Sequence, residues 1–335
     1  MTRTDLDLAG RALGGSVRAV SDDLFAPVES LIQPAAPVHD PSAFGPHGKI
    51  YDGWESRRRR GEGEDDWVIV ALGIPGVLHE IVVDTAFFRG NYPPEITVEA
   101  VRLEPAADPL RAAWTVVVPR APAEGSCQNH YEVSDPGIYT HVRLIIHPDG
   151  GVARLRVLGT AVPDPRLLGG RIDLAALANG GDIAECSDMF YSDARNTLLP
   201  GGARSTGEGW ENQRRRGAGN DYLVVALAGP ARLSWIDVDT TWFIGNAPGE
   251  ISVSVRDIAG AWREVLARQA VSADAHNRFR LPVGVVTDAV RLDVHPDGGL
   301  SRLHVYGELL PDTLTGLVAR WLGVGPEPAL LQEVW

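Results

Sequence analysis

A chain of 335 residues that is 44% hydrophobic and 22% charged has an ordinary globular balance and enough length for two cores. Its formal charge of -13 argues against nucleic acid as the main partner, because that binding draws on excess Lys and Arg to neutralise phosphates. The opening MTRTDLDLAGRALGGSV carries acids early and lacks a signal-like apolar run, no segment reads as a membrane span, and the only cysteines, Cys127 and Cys186, build no disulfide framework, so a reducing cytoplasm is expected.

Strand signals dominate in chain order. Trp67 to Leu72 is an apolar run like a buried strand, and His79 to Phe88 is another. Ile96, Val98 and Ala100 alternate with Thr97 and Glu99 in the two-residue period of a half-buried strand. Further runs at Trp114 to Val118, Tyr131 to Val133, His141 to His147 and Leu155 to Leu158 predict seven or eight strands, separated by Gly and Pro turns. The stretch AVPDPRLLGG, from Ala161 to Gly170, reads as the end of a strand followed by a linker over 163–170. The same signals then recur at Leu223 to Leu227 and at Ile251, Val253 and Val255. After Gly307 the tail places Leu314, Leu317, Val318, Trp321 and Leu322 on one helical face. The expectation is an all-β chain of two tandem jelly-roll β-sandwich modules of the galactose-binding-like kind, over 1–162 and 171–309, with a short C-terminal helix within 310–335.

The recurrence is an internal duplication. Gly53-Trp54-Glu55 and Arg58, Arg59 and Arg60 superpose on Gly209-Trp210-Glu211 and Arg214, Arg215 and Arg216 at an offset of 156. The offset becomes 155, which matches Asp84, Thr85, Phe88, Gly90 and Asn91 with Asp239, Thr240, Phe243, Gly245 and Asn246. It then becomes 148, where RLIIHPDGGVARLRVLG from Arg143 matches RLDVHPDGGLSRLHVYG from Arg291. Loops shorten while the blocks persist, as expected of a duplicated domain.

Three polar blocks could carry chemistry. DGWESRRRR from Asp52 and EGWENQRRR from Glu208 crowd an acid, a Trp, a Glu and several Arg together, which suits a fork for an anion, a solvated face, or struts from Arg to Glu55 and Asp84. DTAFFRGN and DTTWFIGN pair Asp84 with Asn91 and Asp239 with Asn246 across aromatics that read as core. In HPDGG, the Pro, Asp and two Gly predict a tight hairpin, leaving His147 and His295 as acid–base candidates or as structural hydrogen-bonding groups. No His-x-His or CxxC spacing occurs, so no required metal is expected, although a divalent ion could join a set containing Asp149 and His147.

These blocks, in this order and twice, resemble the allantoicase family of ureide-degrading hydrolases. GKIYDGWESRRRR at Gly48, DWVIVALGIPG at Asp66 and VDTAFFRGNYPPEITVEA at Val83 carry the likeness in the first copy, and AECSDMFYSDARNTLLPGG at Ala184, EGWENQRRRGAGNDY at Glu208 and HPDGGLSRLHVYG at His295 carry it in the second. It spans residues 15 to 309 and departs from the family at Glu208, Asn212 and Gln213, changes that favour the first copy if only one is catalytic. The resemblance implies a hydrolase acting on a C–N bond in a linear amidine, turning allantoate into ureidoglycolate and urea in purine breakdown. It implies a small-molecule substrate, no cofactor and a homo-oligomer. Residue types then suggest Glu55, Asp84 and His147 for proton transfer, with Glu211, Asp239 and His295 as counterparts. Arg58 and Arg60, or Arg214 and Arg216, would hold the carboxylate, while Asn91 or Asn246 would bind a ureido group. A tandem ligand- or carbohydrate-binding protein without activity is the alternative, because fold alone does not decide function.

Overall fold

The computed structural model describes residues 5–60, 63–257 and 259–323. The chain divides between Val162 and Pro163 into two compact units. Each unit is a jelly-roll sandwich built on one eight-stranded antiparallel sheet.

The two apolar runs predicted near Trp67 and His79 are one strand, Asp66–Asp84, of 19 residues. Gly73 and Gly76 make that possible. A Cβ on Gly73 would stand 2.3 Å from the Leu13 carbonyl oxygen, and one on Gly76 would stand 2.5 Å from that of Thr160. Bare backbone therefore lets the strand run close against its neighbours as it passes from one layer into the other. Its first part pairs with Ser16–Val20 and Ile138–His147, and its second part with Gln128–Glu132 and Arg154–Ala161. Val68, Val70, Ile81, Val83, Leu144 and Val157 are fully buried in the core. Burying each is worth about 1.5–3 kcal/mol before entropy is counted.

The second unit repeats the plan around Asp221–Asp239, also of 19 residues, which pairs with Asp182–Cys186, His276–Arg280, Val286–His295 and Arg302–Leu309. The segment 163–170 carries a 3-10 turn at Pro165–Leu167 and buries Leu168. A helix, Pro311–Leu322, follows and buries Thr315, Val318, Ala319 and Trp321. Its contacting face is rotated from the predicted one, since Leu322 is 43% exposed while the small Thr315 and Ala319 face inward. Residues 324–335 of the predicted tail lie outside the described residues.

The HPDGG segment is not a hairpin. The strand before it, Ile138–His147, pairs with Glu95–Val101 and the first part of the long strand, whereas Arg154–Ala161 pairs with the second part. The segment thus crosses between layers. Its glycines are steric requirements: Gly150 has φ +143°, and a Cβ on Gly151 would sit 2.0 Å from Cε1 of the buried Phe88. Gly298 and Gly299 repeat both conditions, with φ +126° and a 2.1 Å approach to Phe243.

Candidate functional site

Both ends of the long strand of the first unit meet the same loops. Asp149 Oδ2 accepts from the Arg59 N–H, Arg59 pairs with Asp66 at one strand end, and the Ala153 N–H donates to the Asp84 carbonyl at the other. The short strand Trp54–Glu55 lies against Gly151–Val152 at this end of the sandwich.

Glu55 and Asn91 come together here. Asn91 Nδ2 donates to Glu55 Oε1 at 2.7 Å, and the Asn91 carbonyl accepts from the Gly151 N–H at 2.7 Å. Three sequence blocks distant from one another are therefore tied into one cluster. The Glu55 carboxyl is held above its ordinary pKa because burial penalises the charge, an effect that the Asn91 bond partly offsets. One Asn91 N–H and its Oδ1 have no acceptor or donor among the described residues.

The arginine block splits into two roles. Arg57 Nε pairs with Asp22, and Arg59 with Asp66, so the struts run to acids other than Glu55 and Asp84. Arg58 and Arg60 are exposed and have no ion-pair partner among the described residues. This is the alternation of an extended chain, one side bracing and the other free. Trp54, by contrast, is fully buried with its indole N–H on the Asp22 carbonyl, so it offers no ring face to a ligand.

Asp84 and His147 are engaged elsewhere. Asp84 is buried, with Oδ1 accepting from the Ala86 N–H at 2.8 Å and Oδ2 from Gln128 Nε2 at 3.3 Å. His147 is buried between Asp65, 2.6 Å from Nδ1, and Thr97, 2.9 Å from Nε2. No hydrogen bond joins either residue to Glu55 among the described residues. Asp149, the other candidate metal donor, caps the Arg59 N–H instead. Among the described residues no three His, Cys, Asp or Glu converge as a metal set.

The second unit keeps the pair and changes its surroundings. Asn246 Nδ2 donates to Glu211 Oε1 at 2.7 Å, and the Asn246 carbonyl accepts from the Gly299 N–H. Asn212 does the work of Ser56, since Asn212 Oδ1 accepts from the Gly298 N–H just as Ser56 Oγ accepts from that of Gly150. Arg215 pairs with Asp221, whereas Arg214 and Arg216 are exposed and line a cavity of about 320 Å³ with Asp188 and Gln213. Asp239 is buried and accepts from the N–H and hydroxyl of Thr241. His295 Nε2 lies 3.0 Å from Ser252 Oγ, but its buried Nδ1 has no partner, because Asn220 stands where the first unit has Asp65 and donates to Asp293. Burial pushes the His295 pKa down, with Arg268 adding to the shift.

One residue was missed in the sequence. Arg89 is exposed two positions before Asn91, where the second unit carries the exposed Ile244. Comparing DTAFFRGN with DTTWFIGN position by position carries that signal.

A duplicated jelly-roll protein with a carboxylate–amide pair at one end of each module is the class that fold and site define. The family model described as allantoicase repeat matches twice, over residues 6–162 and 172–310. A probable allantoicase from Nocardia farcinica is 46% identical over 90% of this chain and 94% of its own length. One from Streptomyces coelicolor is 45% identical over 95% and 89%. The crystal structure of allantoicase from Saccharomyces cerevisiae superposes with a TM-score of 0.78 at 33% identity, covering 92% of this chain and 94% of that one. The chain belongs to the allantoicase family.

Proposed function

We propose that this chain hydrolyses allantoate to ureidoglycolate and urea, acting on a C–N bond other than a peptide bond in a linear amidine. The observation that carries the reading is the Glu–Asn pair, kept at 2.7 Å in both units, its Glu standing in the same short sequence block as two exposed arginines. Allantoate bears two ureido groups and a carboxylate on one carbon, so it needs a base, a polar contact for a ureido group and an anion clamp.

The chemistry follows from those parts. Arg58 and Arg60 hold the carboxylate, with Arg89 adding positive charge, and the free amide atoms of Asn91 orient one ureido group. Ionised Glu55 takes the N–H proton of the ureido group that stays; its electron pair forms a C=N bond as the other C–N bond breaks. Glu55 returns the proton to the nitrogen of departing urea. Water then adds to the imine carbon, its proton passing through Glu55 to the imine nitrogen, which yields ureidoglycolate. Atoms balance to one water consumed and one urea released, and Glu55 ends ionised. Asp84 and His147 act by holding the loops, and Arg89 favours the first unit over the second as the one that turns over.

Burial gives this role a pH signature. Because the Glu55 pKa is raised, kcat/KM should rise with pH through a point above the ordinary Glu value, where the base ionises. Asn91→Ala removes the contact that lowers this pKa and should move the acid limb to higher pH, which a pH–rate profile would read. The sign for folding is opposite. A raised carboxyl favours the protonated folded state, so its contribution to stability is present at low pH and lost as pH rises through the folded pKa.

Urea release from allantoate, assayed with and without a chelator, tests the activity directly. Turnover sensitive to Glu55 and indifferent to the chelator is expected; ligand binding without urea release would favour a binding module instead. The two free cysteines support a reducing, cytoplasmic setting. No helix among the described residues is long and apolar enough to cross a membrane. The neighbouring exposed Met189, Phe190 and Tyr191 support self-association into a homo-oligomer.

A further inference from the structure

The second unit has a further concavity, of about 790 Å³, away from the Glu211–Asn246 pair. Arg171, Arg232, Arg278 and Arg280 line it, with Trp235 and Glu308. It opens on the outer face of the sheet, where Trp235 is paired in register with Tyr306 on one side and Arg280 on the other.

Two of these arginines are uncommitted. Arg171 lies 3.9 Å from Glu308, a loose exposed pair, and Arg278 gives Nε to Asp237 at 3.0 Å, leaving its terminal nitrogens free. Arg232 and Arg280 have no ion-pair partner among the described residues. In a chain of net charge -13, four guanidinium groups around one hollow are a local reversal of sign.

The duplication supplies the comparison that gives this cluster meaning. Matching the strands places Asp5, Val77, His130 and Glu132 of the first unit at the positions of Arg171, Arg232, Arg278 and Arg280. Glu80 and Leu158 stand where the second unit has Trp235 and Tyr306. The fold therefore does not require arginines here, since the sister module builds the same sheet with two acids, a valine and a histidine at these positions. A strut inherited through duplication would appear twice; this cluster appears once.

The Trp235 ring lines the hollow, backed by Tyr306. Trp235 lies flat on Tyr306, with centroids 4.0 Å apart and planes 13° apart, and the Arg278 guanidinium is 5.9 Å from the Trp235 ring. Arginine forks match phosphate oxygens two at a time, and a half-exposed aromatic pair offers a surface for a planar ring. The volume is that of a small-molecule site.

We propose that this face binds a small molecule carrying a multiply charged phosphate group and a planar ring, the chemistry of a nucleotide. The phosphates sit among Arg232, Arg278 and Arg280, and the ring lies against Trp235, which Tyr306 backs. The site is separate from the proposed chemistry and does not depend on it.

The test is calorimetric titration of the full chain with pyrophosphate and with ADP at about 50 mM salt, where charge attraction is little screened. The variant is Arg232→Val with Arg280→Glu, the residues that the first unit carries at these positions, so folding should survive; a thermal melt checks that. Each charge-assisted contact is worth about tenfold or more in affinity, so the double variant should weaken both ligands by about 100-fold. Arg214→Ala with Arg216→Ala, which clears the other cationic cavity of this unit, should leave binding intact. ADP should bind more tightly than pyrophosphate, and Trp235→Ala should erase that difference.

Failure of both ligands to bind, or equal binding by the folded Arg232→Val/Arg280→Glu variant, overturns the proposal. So does equal affinity for ADP and pyrophosphate, which would remove the ring from the assignment. Loss of an oligomer in the double variant, without anion binding by the parent, would assign the face to a second copy of the chain and refute the nucleotide reading. Urea release from allantoate by the double variant should equal that of the parent.

Discussion

Glu55→Gln is expected to lower urea release from allantoate by about 100-fold or more, the usual loss when a general acid or base is removed. Glutamine keeps the size of the side chain and can still accept the Asn91 hydrogen bond, but it cannot take a proton. The residual rate should lose the acid limb that the Glu55 ionisation produces. Glu211→Gln, the same change in the second unit, should leave most of the turnover if the first unit carries it. A double variant no worse than Glu55→Gln alone would agree. Near-normal turnover by Glu55→Gln would remove Glu55 from the chemistry, and equal losses from the two single variants would assign turnover to both modules.

Arg154→Met should be the most damaging structural change, at about 3–5 kcal/mol, the range for stripping one partner from a buried ion pair. The Arg154 side chain is 2% exposed, and its terminal nitrogens reach Asp52 Oδ1 at 3.0 Å and Oδ2 at 2.7 Å. It also donates to the carbonyls of Ala35 and Ala153, so it fastens the 34–38 segment to the sandwich. Asp52 Oδ2 extends that link by accepting from the Val38 N–H. The second unit offers a contrast at Arg302. There the longer Glu208 turns to Arg204, and among the described residues Arg302 donates only to the carbonyls of Gly201, Glu208 and Ser301. Burial accordingly pushes the Arg302 pKa down. Arg302→Met strands no carboxylate and should cost less, about 1–3 kcal/mol. Denaturant unfolding of both variants reads the difference, and a larger loss at Arg302 would contradict this account.

The architecture was largely legible in the residues, and the limits of that reading have identifiable causes. Alternating and apolar runs marked the strands, and repeated blocks marked the modules, because period and duplication are written directly in order. The unity of Asp66–Asp84 was hidden, since Gly73 and Gly76 are turn signals in sequence yet serve here as points of close backbone passage. The HPDGG crossing was hidden for a related reason: glycine reports permitted conformations, not the layer to which the chain goes next. At the site, the Glu and Asn types that pair were legible in the repeated blocks. The commitment of His147 to Asp65 and Thr97 was not, because both partners come from other strands. The same holds for Asp84, whose carboxylate is spent on its own turn. The acids bracing Arg57 and Arg59 could not be chosen from composition, which offers several near neighbours for each.

The long strand has a mechanical consequence. One covalent segment supplies a rung to each layer, and its two ends, at Asp66 and Asp84, meet the same cluster of loops. A shear that slid one layer along the strand axis would drag the other through the bend at Gly73–Gly76. The two walls beside Glu55 are thus geared together, and the module resists opening like a folded ruler held at its hinge. Cutting the chain at that bend would release the gearing while leaving every pairing partner in place.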